Sequence, residues 1–308
     1  MGDRAVSRDA EGRPEASAIG EIAQLASYLV GLPTAIGQTI LDNGGQLLPH
    51  PNSTAQQEID AQAQFIGRST HPVLDTYSLV HVRLIGSMQN LVAIGRLLES
   101  GPLEPSCGVL ARASLESAAV AAWLLGEPGD ARVRVARGRA QHVFELQQDA
   151  GILRGVEHDP EGARIVDGIY ATIEAIAAEC QAVGIEVNRT KQGRVFLPEA
   201  PAPLASAAVK DLQGDEGLIA YRVLCGSTHG SSNTALASMT KAPVASSLEG
   251  VSVVMPANDA KTLIPTLGTV IQAFYTANDR RFEALGWIVR PWAAWKLQAM
   301  NTVVQLLP

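Results

Sequence analysis

The chain of 308 residues lacks most of the features that would assign it to a specialised class of protein. It has only three cysteines, which are far apart and form no CxxC pair, and this excludes a disulfide framework and a structural zinc site. No apolar run approaches the roughly 18 residues that a membrane span needs. The N-terminus also lacks the apolar core of a signal peptide. We therefore expect a cytoplasmic protein that holds no metal and has no membrane partner.

Charged residues are scarce as well. They make up 18% of the chain and leave a net charge of −7, which excludes a protein that binds duplex DNA through its whole surface. Hydrophobic residues make up 46%, which is enough to bury a core and excludes a mostly disordered chain. The basic residues are mostly arginine, and alanine and glycine are abundant, as is typical of a GC-rich bacterial genome.

Hydrophobic periodicity and cap residues predict an all-α protein, an antiparallel helical bundle. Connections of about four to seven residues place the three central helices antiparallel to their neighbours. The segment 106–125 is apolar nearly all round and should be the most buried helix. Helices are predicted at residues 16–42 (two short helices broken at 31–33), 81–98, 106–125, 131–151, 160–183, 216–239, 258–285 and 289–307.

The predicted organisation is one domain with a short leader. Residues 1–15 read as a disordered leader, and residues 16–308 as a single helical domain. The core bundle spans about 75–240, and additional C-terminal helices occupy 256–308. A Pro-rich insertion at 184–208 is predicted to be a loop or short hairpin and is a candidate lid. No strand and helix alternation at βαβ spacing is present, which disfavours a Rossmann-type fold or a barrel.

The motifs of common enzyme classes are missing from the sequence. It contains no GxxxxGK[ST] phosphate loop, no GxGxxG, no GxSxG elbow and no HExxH. It also has no Glu-x-x-His pair of the kind that di-iron bundles use and no DDxxD-type aspartate cluster. We therefore predict no cofactor.

Two charges stand out in the apolar segment 106–125. Arg112 and Glu116 are four residues apart, and a charge left unpaired among apolar residues is costly. They form either an internal ion pair or the edge of a polar pocket in which Glu116 acts. We expect them to belong to one buried network with an arginine of 132–139 or with His229, and breaking it should cost about 3–5 kcal/mol.

Arginines are concentrated on the predicted helix 131–151. One interpretation is a solvated helix face on which one arginine pairs with Glu116. The other is a local anion site for phosphate or RNA. The arginines concerned are Arg132, Arg134, Arg137 and Arg139.

A third group of residues lies in the segment 221–233. If this segment is helical, Arg222 and His229 lie about 20° apart around the axis, with Gly226 between them and Asn233 one turn further on. A glycine beside a histidine leaves room for a ligand or a second backbone. The alternatives are a histidine that is hydrogen-bonded in the core and a His/Arg site.

Two resemblances follow from these residues. The motif RASLE at 112–116, followed by WLL at 123–125 and by Tyr221 and His229-Gly230, resembles a widespread family of uncharacterised helical bacterial proteins. Arg222-x6-His229, like Arg137-x4-His142, also resembles the R-x4–6-H motif of HEPN-type ribonucleases. This second resemblance implies a helical bundle that dimerises and cuts RNA without a metal. Arg137 and His142 lie about 140° apart on a helix, so Arg222 and His229 match better.

Three functions are compatible with the sequence. The first is a HEPN-like ribonuclease of a toxin or defence system, a homodimeric hydrolase with RNA as its partner. The second is an enzyme or binding protein for an apolar small molecule, with Glu116, His229 and Tyr221 as the polar groups of a bundle pocket. The third is a noncatalytic interaction module.

The candidate site is the same for the first two functions. In the ribonuclease, His229 acts as general acid/base and Arg222 stabilises the phosphorane-like transition state. The candidate catalytic residues are His229, Arg222 and Glu116, and the candidate substrate-binding residues are Arg112, Arg137, Tyr221 and Asn233.

Overall fold

The protein is an all-α helical bundle, and the structure, a computed structural model, is 81% helical. It describes residues 16–100, 106–127, 129–153, 155, 158–199, 204–228, 243–244, 253–254 and 260–306. These residues form nine α-helices: α1 (Ala16–Asp42), α2 (Thr54–Asp60), α3 (Pro72–Ser100), α4 (Ser106–Leu125), α5 (Ala131–Leu153), α6 (Pro160–Ala182), α7 (Leu204–Thr228), α8 (Ala260–Leu285) and α9 (Arg290–Leu306). A 3-10 turn, Ala61–Phe65, follows α2.

The strands are short and form two antiparallel pairs. β1 (Asn188–Arg189) pairs with β2 (Val195–Phe196), and β3 (Pro243–Val244) pairs with β4 (Val253–Val254). The first pair is the hairpin predicted as one form of the Pro-rich insertion, and β2 packs against α5 and α6.

Helix α4 lies at the centre of the bundle, where it packs against α3, α7 and α8. Most of its 20 residues are buried, which confirms the prediction from its apolar composition. Ala118, Ala119 and Ala122 are at most 1% exposed, and their small side chains let neighbouring helices approach closely. Within the described ranges α4 is the one helix long and apolar enough to cross a membrane, and 67% of its apolar window is buried inside the protein.

The helix ends follow their cap signals. The Ser53 hydroxyl accepts a hydrogen bond from the Gln56 amide at 3.2 Å and caps the start of α2. Beyond the end of α1, Gly44 and Gly45 adopt φ angles of +91° and +71°, a conformation that glycine enters without a steric penalty. The Asp159 carboxylate accepts from the Gly162 amide and caps α6.

Helix α1 differs from its prediction. Residues 16–42 form one helix that continues through Pro33, whereas the sequence predicted two short helices. A proline inside a helix removes one backbone hydrogen bond, and tertiary packing offsets this loss. Leu29 and Leu32 are fully buried, and Gly31 lies so close to Trp295 of α9 that a β-carbon there would be 2.6 Å from the indole.

Helix α7 begins earlier than its prediction. It starts at Leu204, inside the segment predicted to be an insertion, and Gly214 interrupts it with φ +66° and ψ −158°. The sequence therefore revealed only the part after this kink. The leader 1–15, the predicted extension of α7 to residue 239, and the residues His229, Gly230 and Asn233 lie outside the described residues.

Candidate functional site

Arg112, Glu116 and Tyr221 form a polar cluster between α4 and α7. Arg112 donates to Glu116 Oε1 from Nε at 3.2 Å and from Nη2 at 3.0 Å, and the Tyr221 hydroxyl donates to the same oxygen at 2.7 Å. The Arg112 guanidinium carbon also lies 5.9 Å from the centre of the Tyr221 ring. The structure thus brings together three of the predicted site residues.

The cluster is half-buried, with 21% of the Arg112 side chain and 30% of the Glu116 side chain exposed. Desolvation and the hydrogen bond to Glu116 raise the pKa of the Tyr221 phenol, so it is a hydrogen-bond donor at neutral pH. Desolvation alone would lower the pKa of Arg112, but Glu116 together with Tyr221 and Cys225 outweighs it and the pKa is raised. Glu116 is therefore an acceptor that fixes Arg112 and Tyr221 in place.

Arg222 lies next to this cluster on the exposed surface of α7. Its neighbours Ala220 and Leu224 are buried, because one side of α7 packs on α4. A solvent-exposed arginine suits phosphate contact better than a structural role in the core. His229 and Asn233, the other two residues of the predicted stripe, are outside the described part of the chain.

The arginines of α5 contact different parts of the protein. Arg137 donates to the Trp123 carbonyl at 2.6 Å and lies 5.7 Å from the Trp123 ring centre. Burial and the nearby Arg134 lower its pKa. Arg139 lies 3.8 Å from Glu179, and no hydrogen bond or ion pair joins any of these arginines to Glu116 among the residues described. The expectation that one of them pairs with Glu116 is therefore wrong.

Arg134 differs most from the interpretation that these arginines form a solvated helix face. It is 2% exposed and donates to both carboxylate oxygens of Glu58, from Nε at 2.8 Å and from Nη2 at 2.9 Å. The Tyr77 hydroxyl donates to Glu58 at 2.9 Å and the Gly129 amide does so at the same distance. The buried charge network of this protein is thus centred on Glu58, which the sequence analysis did not single out.

A groove of about 310 Å³ runs between α3 and α5 and contains His142. Part of the His142 side chain is open to solvent, yet desolvation of the rest and the charge of Arg139 lower its pKa. Another lining residue, Glu145, accepts from Arg83 and from Gln141. Arg137 points to Trp123 and not into this groove, so the two residues of the second R-x4-H match do not converge.

A second buried charge was also missed by the sequence analysis. Arg281 of α8 is 3% exposed and lines a cavity of about 160 Å³ together with His81 of α3. Nothing in the local sequence separates Arg281 from its neighbour Arg280, which is only half-buried. Only the packing of α8 on α3 distinguishes them.

Comparison with known proteins gives no match: no family model, no curated protein and no solved structure matches the chain. The resemblances to the helical bacterial family and to HEPN-type ribonucleases therefore stay predictions. Among the described residues, no group of three or more His, Cys, Asp and Glu side chains could hold a metal ion.

Proposed function

We propose that the protein is a HEPN-like, metal-independent ribonuclease that works in the bacterial cytoplasm as a homodimer. One observation carries the proposal. Arg222 is exposed on α7, directly beside Tyr221, which is fixed by its 2.7 Å hydrogen bond to Glu116. An arginine that is open to solvent but mounted on a rigid helix is suited to bind a phosphodiester.

The chemistry needs few groups. The 2′-hydroxyl of a ribose attacks the adjacent phosphorus, and His229 accepts its proton as general base. Arg222 stabilises the additional negative charge on the phosphoryl oxygens. The bond between phosphorus and the 5′-oxygen then breaks, the 5′-oxygen takes up the proton that His229 accepted, and a 2′,3′-cyclic phosphate remains on the other fragment. Glu116 acts here as a positioning residue that holds Tyr221 and Arg112.

The surface around Arg222 suits a second copy of the chain. Ile219, three residues before Arg222 on α7, is 61% exposed, and Val223 is 36% exposed. Positions three and four apart lie on the same side of a helix, so Ile219 and Val223 form one apolar patch that lies to one side of Arg222. Burying them in a dimer would place Arg222 at the edge of a cleft between two copies.

The small-molecule hypothesis has less support at Glu116. The carboxylate is already engaged by Arg112 and Tyr221, and the two cavities described above are lined by other residues. An interaction module remains the alternative if no RNA is cleaved.

Cleavage of a labelled single-stranded RNA in EDTA tests the proposal. We expect Arg222→Ala and His229→Ala to lower the rate by about 10²–10⁴-fold. Arg164→Ala is the matched control, because Arg164 is an exposed arginine (76%) on α6 with only a local partner, Glu161. It should cleave at the wild-type rate.

Two results would overturn the proposal. One is the absence of cleavage for RNAs of mixed sequence at micromolar protein. The other is equal cleavage by the wild type and Arg222→Ala purified in parallel, which would identify a contaminating nuclease. Sedimentation of Ile219→Glu tests the dimer separately, and we expect that variant to be monomeric.

A further inference from the structure

Arg281 is a buried cation that has no anionic partner among the described residues. It is 3% exposed, and no described carboxylate lies within 4.0 Å of it. Its Nη1 is 3.1 Å from His81 Nδ1, while Nε and Nη2 are buried and have no hydrogen-bond partner. Buried charges are normally paired, because an unpaired charge among apolar atoms is destabilising.

The surroundings of Arg281 compensate only part of this charge. The guanidinium lies 4.7 Å from the Phe282 ring centre and 5.9 Å from the Trp287 ring centre, which gives cation–π attraction. Burial lowers the pKa of Arg281 to about 10, so it is still charged at neutral pH. Burial and the charge of Arg281 also lower the pKa of His81, so this imidazole is neutral and adds no second cation.

The unsatisfied edge of Arg281 has the geometry that binds a carboxylate. Nε and Nη2 form the pair through which an arginine donates two parallel hydrogen bonds. Arg134 uses these same two atoms to bind both oxygens of Glu58, at 2.8 and 2.9 Å. In Arg281 the same edge is present and no residue of the described chain occupies it.

A cavity of about 160 Å³ adjoins Arg281 between α3 and α8. Its walls are mostly apolar, and the lining residues with polar side chains are Arg281, His81, Ser78 and Tyr77. Leu47 and Val82 line it and are 44% and 63% exposed, so the cavity reaches the surface. A cavity of roughly 150 Å³ accepts a benzene-sized molecule.

We propose that this cavity binds a small apolar monocarboxylate whose carboxylate pairs with the guanidinium of Arg281. The apolar part of the ligand, about the size of a phenyl ring or a short alkyl chain, lies against Leu74 and Leu285. A carboxylate fits better than a phosphate, because it matches a two-donor edge and needs few other polar groups. The site is independent of the proposed ribonuclease, since none of its lining residues belongs to α4 or α7.

Thermal unfolding with defined probes tests the site. We expect benzoate and hexanoate to raise the Tm with the logarithm of their concentration, by about 5 °C at 100 times the Kd. Benzyl alcohol and hexanol have the same apolar parts without the charge and should leave the Tm unchanged. Acetate tests whether the apolar part of the ligand is needed, and inorganic phosphate tests whether another anion binds instead. A shift with phosphate alone, or an equal shift with acetate, would overturn the proposal.

Substitutions test whether the rise in Tm with benzoate depends on Arg281. Arg281→Met removes the charge but fills a similar volume, so the ligand-free Tm should equal or exceed that of the wild type while the benzoate shift is lost. Arg290→Met is the control, because Arg290 is an exposed arginine at the start of α9, and it should keep the full shift. If Arg281→Met folds and still responds to benzoate, or if no acid shifts the wild type, the proposal is wrong. If Arg281→Met does not fold, Arg281→Lys decides: loss of the shift in that variant supports the site, and retention contradicts it.

Discussion

Glu58 and Arg134 lie 76 residues apart in the chain and form a buried bidentate ion pair. The Arg134 side chain is 2% exposed and the Glu58 side chain is 0% exposed. Tyr77 and the Gly129 amide complete the hydrogen bonding of the carboxylate, and Arg134 also donates to the carbonyls of Leu124 and Leu125 at the end of α4. The pair therefore joins α2, α3, α4 and α5 at one point.

Removing Glu58 should destabilise the protein strongly. Glu58→Ala leaves Arg134 buried without a counter-ion and deprives Tyr77 of its acceptor, so we expect a loss of about 3–5 kcal/mol in the free energy of unfolding. Urea denaturation followed by circular dichroism measures it. Glu161→Ala breaks an exposed pair with Arg164 and should change the stability by less than about 0.5 kcal/mol.

A double substitution tests whether Glu58→Ala destabilises the protein through the unpaired charge of Arg134 or through lost packing. Glu58→Leu with Arg134→Met replaces both charges by apolar groups of similar volume, which is often close to neutral. We expect the double variant to be more stable than Glu58→Ala. If both variants are equally destabilised, the unpaired charge is not the cause.

The sequence was informative where local pattern decides the structure. The bounds of α4 follow from residues close together in the chain and were predicted correctly. The partner of Arg134 was not, because Glu58 sits in a short polar helix, TAQQEID, that reads as a surface segment. The break predicted in α1 failed for a similar reason, since the packing that sustains the helix near Pro33 comes from Trp295 of α9. In the candidate site, Arg112 and Glu116 were predictable as a pair, but Tyr221 as their common neighbour depended on the docking of α7.

Two glycines of α3 should respond in opposite ways to alanine. A β-carbon at Gly95 would lie 2.9 Å from the Ala26 carbonyl oxygen of α1 and from the Leu29 β-carbon, so Gly95→Ala must push α1 away. We expect a loss of about 1–3 kcal/mol. Gly86 has nothing within 4 Å of its added β-carbon, and Gly86→Ala should gain about 0.5–1 kcal/mol from helix propensity. Thermal unfolding of the two variants side by side checks both signs, and destabilisation of equal size in both would contradict the close approach of α1.

The Glu116 cluster should contribute less to stability than its apolar helix suggests. Glu116 is 30% exposed, so water can solvate Arg112 and Tyr221 when Glu116→Ala removes their acceptor. We therefore expect the free energy of unfolding to fall by about 1 kcal/mol, well below the 3–5 kcal/mol of a fully buried pair. Tyr221→Phe removes one hydrogen bond to the same oxygen. Because both changes disrupt one interaction, their effects should fall short of additivity by about 0.5 kcal/mol or more in a double-mutant cycle. Additive losses would show that Tyr221 and Glu116 act independently.

Mild acid should weaken the fold through His81 and His142. Burial, with Arg281 beside His81 and Arg139 beside His142, holds the pKa of both imidazoles below the ordinary value of about 6.5. In the unfolded chain both take up a proton as the pH falls through 6.5, whereas in the folded chain they resist it. The unfolded state then binds more protons, so the free energy of unfolding must fall as the pH drops from about 6.5 toward the lowered folded values. Urea denaturation at pH 7.5 and pH 5.5 measures this difference, and the variant with His81→Gln and His142→Gln should show a smaller one. If the double variant loses as much stability as the wild type between these two pH values, the titration of other groups must account for the acid sensitivity.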